Sequence, residues 1–335
     1  MRILVTGGAG FIGSHIVEHF HGRCEVRALD NLRSGYRRNL DGMRVEFSEG
    51  SILDRKAVRT AMAGVDYVFH LAAMISVPES MQKPVEAEEI NVIGTLVVLE
   101  EAAAAGVRKL CLSTSAAVYG DNPEVPKRET MLPEPKSPYA ITKLTDEYYC
   151  GLFTRERGLP TACLRYFNVF GPRQDPRSQY AAAVPIFITK ALRHEPITIF
   201  GDGEQTRDFI YVKDVAAANA YFATSADTGV YNVAYGGRIT INDLARRIVR
   251  LTGSRSEIRY LPERPGDVKH SMAAVDRLRA AGFVPAGDFD AGLATTIRFF
   301  AAGVTPPGGP EPRRPAAHRA RPLEPCPDVS SSSAS

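Results

Sequence analysis

Apolar residues along this chain follow two rhythms. Short runs such as Ile3-Leu4-Val5 and Leu110-Cys111-Leu112 fit buried strands, and longer stretches with apolar positions every three to four residues fit helices. Through residue 166 the two alternate. The pattern predicts strands at 2–6, 25–29, 43–47, 66–70, 108–113 and 160–166, and helices at 11–21, 54–63, 85–105 and 139–157. Such alternation builds an α/β domain around a doubly wound parallel sheet with right-handed crossovers. After residue 166 the spacing becomes irregular. Short strands at 197–200, 207–212, 230–233 and 257–260 mix with helices at 182–193, 214–224, 241–252, 275–281 and 290–302. The expected division is a sheet domain over 1–170 that takes back segments from the C-terminal half, a smaller α+β lobe over 171–303, and a tail over 304–335. The tail is rich in proline and then serine, has little to bury, and is expected to be disordered.

Composition narrows this picture. The 335 residues carry a formal net charge of +3, which implies neither a nucleic-acid partner nor a membrane surface. No apolar stretch approaches the roughly 20 residues of a spanning helix. The first apolar run is broken by glycines and has no cationic leader beyond Arg2, so no signal peptide is expected. The five cysteines, Cys24, Cys111, Cys150, Cys163 and Cys326, form no C-x-x-C pair. That argues against a disulfide framework or a metal site and for reduced thiols in a cytoplasmic protein.

Chemistry begins in the first loop, Thr6-Gly7-Gly8-Ala9-Gly10-Phe11-Ile12-Gly13-Ser14-His15. Strand, glycine turn and helix follow one another there, the setting of a dinucleotide fingerprint. Gly7 permits the tight turn, Gly10 lets the backbone approach a pyrophosphate, and Gly13 allows close helix–strand packing. Helix N-terminal N–H groups and the helix dipole favour the anion. Asp30 ends the second strand about 20 residues on, where an acid accepts ribose hydroxyls. A second stretch, Ser137-Pro138-Tyr139-Ala140-Ile141-Thr142-Lys143, opens with a good N-cap and a good first helical residue. It places Tyr139 and Lys143 on one helix face. A phenol acting as a base near neutrality needs its proton affinity lowered by roughly three units. A lysine cation, an oxidised nicotinamide and a helix N-terminus together supply that. Ser115 ends the strand Lys109–Ser113 in a polar turn, on the side of the sheet where ligands sit. There it can bond a substrate hydroxyl and relay its proton to Tyr139.

Thr6–His15, Asp30-Asn31-Leu32, His70-Leu71-Ala72-Ala73, Ser113–Gly120, Tyr139–Lys143 and Leu164–Gln174 together resemble the extended short-chain dehydrogenases/reductases, and more narrowly the UDP-hexose 4-epimerases. The likeness covers roughly residues 1–300. It implies a Rossmann domain binding NAD through Gly7, Gly10, Phe11, Ile12, Gly13, Asp30, Asn31, Ser51, Ile52, Leu71, Ala72 and Ala73, with Tyr139 and Lys143 at the nicotinamide ribose. Tyr139, Lys143 and Ser115 become the catalytic set. Asn168, Arg207, Arg264 and Asp267 would hold the UDP portion. Ser76 and Tyr180, with the stretch 173–176, resemble a subgroup preferring N-acetylhexosamines. Ser271 stands where a bulky residue excludes acetamido sugars. Two departures stand out: Ser51 replaces the acid usually near the adenine amine, and Ala273-Ala274 replaces Ala-Asp.

Related 4,6-dehydratases carry Asp-Glu after the catalytic Thr. This chain has Ala116-Ala117, which cannot protonate a leaving hydroxyl. The expected activity is therefore C4 epimerisation of UDP-Glc/UDP-Gal, and of UDP-GlcNAc/UDP-GalNAc, through a transient 4-keto sugar. Alternatives are a UDP-glucuronate 4-epimerase or another NAD-dependent nucleotide-sugar oxidoreductase, and, in a different class, a non-catalytic NAD sensor. The resemblance also implies a homodimer through a four-helix bundle built from helices near 85–105 and 139–157.

Overall fold

Ile3 and Val5 face one side of a sheet and Leu4 the other, and all three are fully buried. A strand covered on both faces reads as a continuous apolar run, and this one sits inside a parallel sheet. The computed structural model describes residues 1–176, 182–263, 268–285 and 287–303. Its first half runs β1 (Arg2–Thr6), α1 (Phe11–Phe20), β2 (Glu25–Asp30), β3 (Glu46–Glu49), α2 (Arg55–Met62), β4 (Tyr67–His70), α3 (Val77–Gln82), α4 (Pro84–Glu88), α5 (Gly94–Ala104), β5 (Lys109–Ser115), α6 (Pro138–Glu156) and β6 (Thr161–Tyr166). Its second half adds β7 (Asn168–Phe170), α7 (Ala183–Leu192), β8 (Ile197–Phe200), β9 (Thr206–Arg207), β10 (Phe209–Tyr211), α8 (Val212–Thr224), β11 (Gly229–Val233), β12 (Ile239–Thr240), α9 (Ile241–Thr252), β13 (Ile258–Leu261), α10 (Asp276–Ala280) and α11 (Phe289–Gly303).

Seven strands form one parallel sheet in the order β11-β6-β5-β4-β1-β2-β3. The winding direction reverses between β1 and β4, and a ligand crevice opens at such a switch point, beyond the carboxyl ends of the strands. One face packs Ile16, Val17 and Phe20 of α1 with Val215 and Phe222 of α8. The other packs Val58 and Met62 of α2 with Val98 and Leu99 of α5. A separate core joins Phe170, Phe187, Ile197, Leu244 and Leu293. β11 and α8 are the segments that return from the second half to the sheet.

Three predicted elements differ in detail. The strand expected at 43–47 forms at Glu46–Glu49. Its register is set by pairing with β2, Arg27 to Glu46 through Asp30 to Glu49, while Met43 and Val45 pack onto the core from the preceding loop. The helix expected over 85–105 is interrupted by a π-helical turn, Glu89–Ile93. That turn points Asn91 inward, where it accepts from the Met74 N–H at 2.7 Å and donates to Thr142 Oγ1 at 2.9 Å. The strand expected over 207–212 is split at Asp208. The buried Asp208 carboxylate accepts the N–H groups of Tyr235, Gly236 and Ala273 at 3.0–3.1 Å. β9 therefore pairs with β12 and β10 with β7.

Candidate active site

The glycine loop takes its shape from packing. Gly7 has φ +69°, and a Cβ there would lie 2.8 Å from the Ala72 nitrogen. A Cβ on Gly13 would lie 2.1 Å from the Gly7 carbonyl oxygen. Neither position admits a side chain, so α1 starts hard against the turn. Asp30 is 7% exposed; its Oδ2 accepts the Ala9 N–H at 2.9 Å and its Oδ1 the Leu32 N–H at 2.8 Å. Burial pushes its carboxyl upward, opposed by these backbone donors. Asp30 thus braces the loop as well as facing the cleft.

The cleft has a volume of about 1280 Å³. Gly7, Gly10, Phe11, Ile12 and Gly13 line it together with Asp30 and Asn31. Ser51 and Ile52 line it from the turn before α2, and Leu71, Ala72 and Ala73 from the loop after β4. Ser115, Tyr139, Asn168 and Arg207 continue the same wall. A smaller cavity of about 340 Å³ shares Ser115, Asn168 and Arg207 and adds Ala116, Lys127 and Ser271. The nucleotide-side and sugar-side residues of the sequence reading therefore meet in one connected space.

Tyr139 sits in the first turn of α6, which Ser137 caps by accepting the Ala140 N–H at 3.2 Å. Its backbone N–H donates to Ser80 Oγ at 3.1 Å, and its carbonyl accepts from Thr142 Oγ1 at 2.8 Å. Ser115 Oγ accepts the Ala117 N–H at 3.1 Å, which leaves its own proton for a ligand. Lys143 is 3% exposed and lies one turn after Tyr139 on α6. Two neighbours, Glu147 and Asp146, escaped the sequence reading, and a third, His70, entered it only as part of the stretch His70–Ala73 with no role of its own. His70 joins Thr6 Oγ1 at 2.6 Å and Thr95 Oγ1 at 2.9 Å, and burial with the nearby Lys143 charge pushes it down to about 3. Glu147 takes a paired bond from Arg165 at 2.9 and 2.6 Å and a third from Thr114 Oγ1 at 2.7 Å. Asp146 lies 3.6 Å from the Lys143 ammonium. The signals that could have found them are a histidine closing the apolar strand β4 and two acids on the inward face of α6.

Ser76 is not brought to the cleft wall; its hydroxyl caps α3 by accepting the Glu79 N–H at 3.1 Å. Tyr180, Arg264 and Asp267 lie outside the described residues, as does the tail over 304–335.

The family model for NAD dependent epimerases and dehydratases matches residues 3–234. The chain belongs to that family. Its UDP-glucose 4-epimerase relative from Mycolicibacterium smegmatis is 36% identical over 312 residues, covering 90% of this chain and 98% of that one. A UDP-glucuronic acid decarboxylase 1 from Xenopus tropicalis is 33% identical over 308 residues, covering 89% of this chain and 72% of that one. Among solved structures, the UDP-N-acetylglucosamine 4-epimerase of Methanobrevibacter ruminantium in complex with UDP-N-acetylmuramic acid superposes with a TM-score of 0.88 at 42% identity. It covers 90% of this chain and 99% of that one. NAD is the family's cofactor, and the glycine cradle and Asp30 fit it: a closed turn for the pyrophosphate and an acid for the ribose.

Proposed function

We propose that this family member is a UDP-hexose 4-epimerase that accepts UDP-Glc/UDP-Gal and UDP-GlcNAc/UDP-GalNAc. The observation that carries the reading is the shared wall of the two cavities. That wall holds Ser115, Ala117, Asn168 and Arg207; Tyr139 lines the larger cavity and Ala116 the smaller, so alanines stand where dehydration would need acids. NAD held by the glycine loop and Asp30 would supply the hydride acceptor and donor for C4. Tyr139 takes the proton of the 4-hydroxyl, directly or through Ser115, and returns it to the opposite configuration. Lys143, one turn along, favours the charged phenol by its own charge. Ser115 donates its free proton to the C4 oxygen. Arg207 suits the diphosphate because a guanidinium forms paired, charge-assisted bonds, and Asn168 adds an amide beside it. Held by its nucleotide, the 4-keto sugar turns over in the smaller cavity. The serine at 271 leaves room there for an acetamido group.

The test is a substrate panel. Purified protein, with no NAD added, is incubated with UDP-Gal, UDP-GalNAc and UDP-glucuronate and followed by NMR. Conversion of the first two supports the reading, and conversion of none contradicts it. UDP-glucuronate is the second reading, favoured by one observation: Lys127 is among the residues lining the smaller cavity, with its ammonium bonded to the Asn122 carbonyl. Conversion of that sugar alone would select it. A non-catalytic NAD sensor is tested by Tyr139→Phe, which would leave such a protein's biological effect intact.

We further propose a homodimer. Val85 on α4, Ile93 on the π turn, and Ile141, Tyr148 and Leu152 on α6 are exposed, from 42% to 80%. Residues 141, 148 and 152 share one helix face, and α4 packs against α6. A second copy of the same face would cover this apolar stripe and complete four helices.

A further inference from the structure

Asp146 is an acid inside the site with no part in the chemistry above. It has no exposed surface, its Oδ2 lies 3.6 Å from the Lys143 ammonium, and neither carboxylate oxygen is held by a well-formed hydrogen bond, the Thr95 hydroxyl and the Lys143 ammonium being the nearby donors. Buried carboxylates are ordinarily held by several donors, because burying an undersatisfied charge is costly. The polar and titratable groups around it come from each packed element: Lys143 of α6, the Thr95 hydroxyl of α5, Glu88 of α4 and the Cys163 thiol of β6. Glu147, next in sequence, is already paired with Arg165. Beyond Thr95 lies His70.

Donor counting orients this chain of groups. Thr6 Oγ1 accepts the N–H groups of Leu71 and Ala72, so its proton goes to His70 Nδ1. His70 Nε2–H then donates to Thr95 Oγ1, and the Thr95 proton is left to turn toward Asp146. His70 is neutral in this arrangement, Arg165 is taken up by Glu147, and the ammonium that faces Asp146 is that of Lys143.

We propose that Asp146 is a positioning residue for Lys143, whose ionisation sets how much of the lysine charge acts on Tyr139. With a neutral Asp146, the Lys143 charge favours the phenolate undiminished. With an ionised Asp146, that charge is partly cancelled and the phenolate is opposed. Burial pushes the Asp146 carboxyl up to about 7 even against Lys143, so both forms are populated near neutrality. Tyr139 and Asp146 are two helical turns apart, about 10 Å along the axis. Unit charges at that separation, in an effective dielectric of about 20, couple by roughly one pH unit.

The inference deepens the Tyr139 assignment and rests on it, so its test reads the phenol rather than turnover. Ultraviolet difference titration of NAD-loaded protein, with Tyr139→Phe subtracted, isolates the phenolate band of Tyr139. In Asp146→Asn the band is expected about one pH unit lower and over a narrower range than in the native protein. Asp146→Ala, a second route to losing the carboxyl, is expected to move it the same way. Coincident native and variant profiles would overturn the proposal and leave the Tyr139 assignment standing. No Tyr139 band at all below about pH 9 would remove that assignment and this proposal with it. A lowered melting temperature with an unmoved band would assign Asp146 to packing alone.

Discussion

Ser115 and Tyr139 divide one proton between them, and single substitutions separate their shares. Tyr139→Phe removes the group proposed to accept the proton and is expected to lower kcat by about 10²–10⁴-fold, the usual worth of a general base. UDP affinity, read by calorimetry, should be unchanged. Ser115→Ala should cost less, and Ser115→Thr should recover most of the loss, because the Ala117 N–H still has an oxygen to bond. Ser271→Tyr is expected to cut activity on UDP-GalNAc relative to UDP-Gal at least about tenfold by filling the smaller cavity; an unchanged ratio would remove Ser271 as the gate. Asp146 adds a stability prediction. Its carboxyl is raised in the folded chain to about 7 from an unfolded value near 3.9. The native state therefore binds the extra proton between those values, and stability falls as pH rises through that window. Asp146→Asn should lack this decline, so its melting temperature should gain on that of the native protein between about pH 4 and pH 7.

One buried ion pair ties helix α6 to the sheet beneath it, beside the apolar packing of Cys150 and Phe153. Glu147 and Arg165 are each almost fully buried, and Thr114 completes the carboxylate's bonds. They tie α6, which carries Tyr139, to β5, which ends in Ser115, and to β6. Breaking such a pair from one side costs about 3–5 kcal/mol, so Glu147→Ala should lower the melting temperature markedly. The sequence made α6, its cap and its Tyr–Lys face legible, because capping and helical spacing are local. It did not reveal the π turn at Glu89–Ile93 or the break at Asp208. Both are decided by buried side chains bonding to distant backbone: Asn91 to Met74, and Asp208 to Tyr235, Gly236 and Ala273. Asn91→Ala leaves the Met74 N–H unpaired and should destabilise by about 1–3 kcal/mol, read by denaturant unfolding. The apolar stripe on α4 and α6 makes its own prediction. Tyr148→Glu with Leu152→Glu should halve the mass seen by sedimentation equilibrium, and a native protein that sediments as a monomer would remove the dimer.

At the scale of the molecule, the doubly wound sheet was legible because the central strands β1, β4, β5 and β6 are largely buried and carry short apolar runs that alternate with helical patterns. The lining of the candidate cleft was legible where its residues sit at strand ends and helix starts: Gly7, Gly10, Gly13, Asp30, Ser115 and Tyr139. Ser76 lies off the cleft wall as the cap of α3, and a capping serine and a ligand-binding serine look alike in one dimension. Asp146 stayed hidden, and His70 was read without its bonding role, because only burial distinguishes them from surface polar residues. The central claim is that C4 loses its hydride and regains it within one closed site. UDP-glucose deuterated at C4, incubated with the purified protein and read by NMR, tests it most directly. The expected product is UDP-galactose with the deuterium retained at C4. Product that has lost the deuterium, or no product from this or the other UDP-hexoses, would contradict the claim.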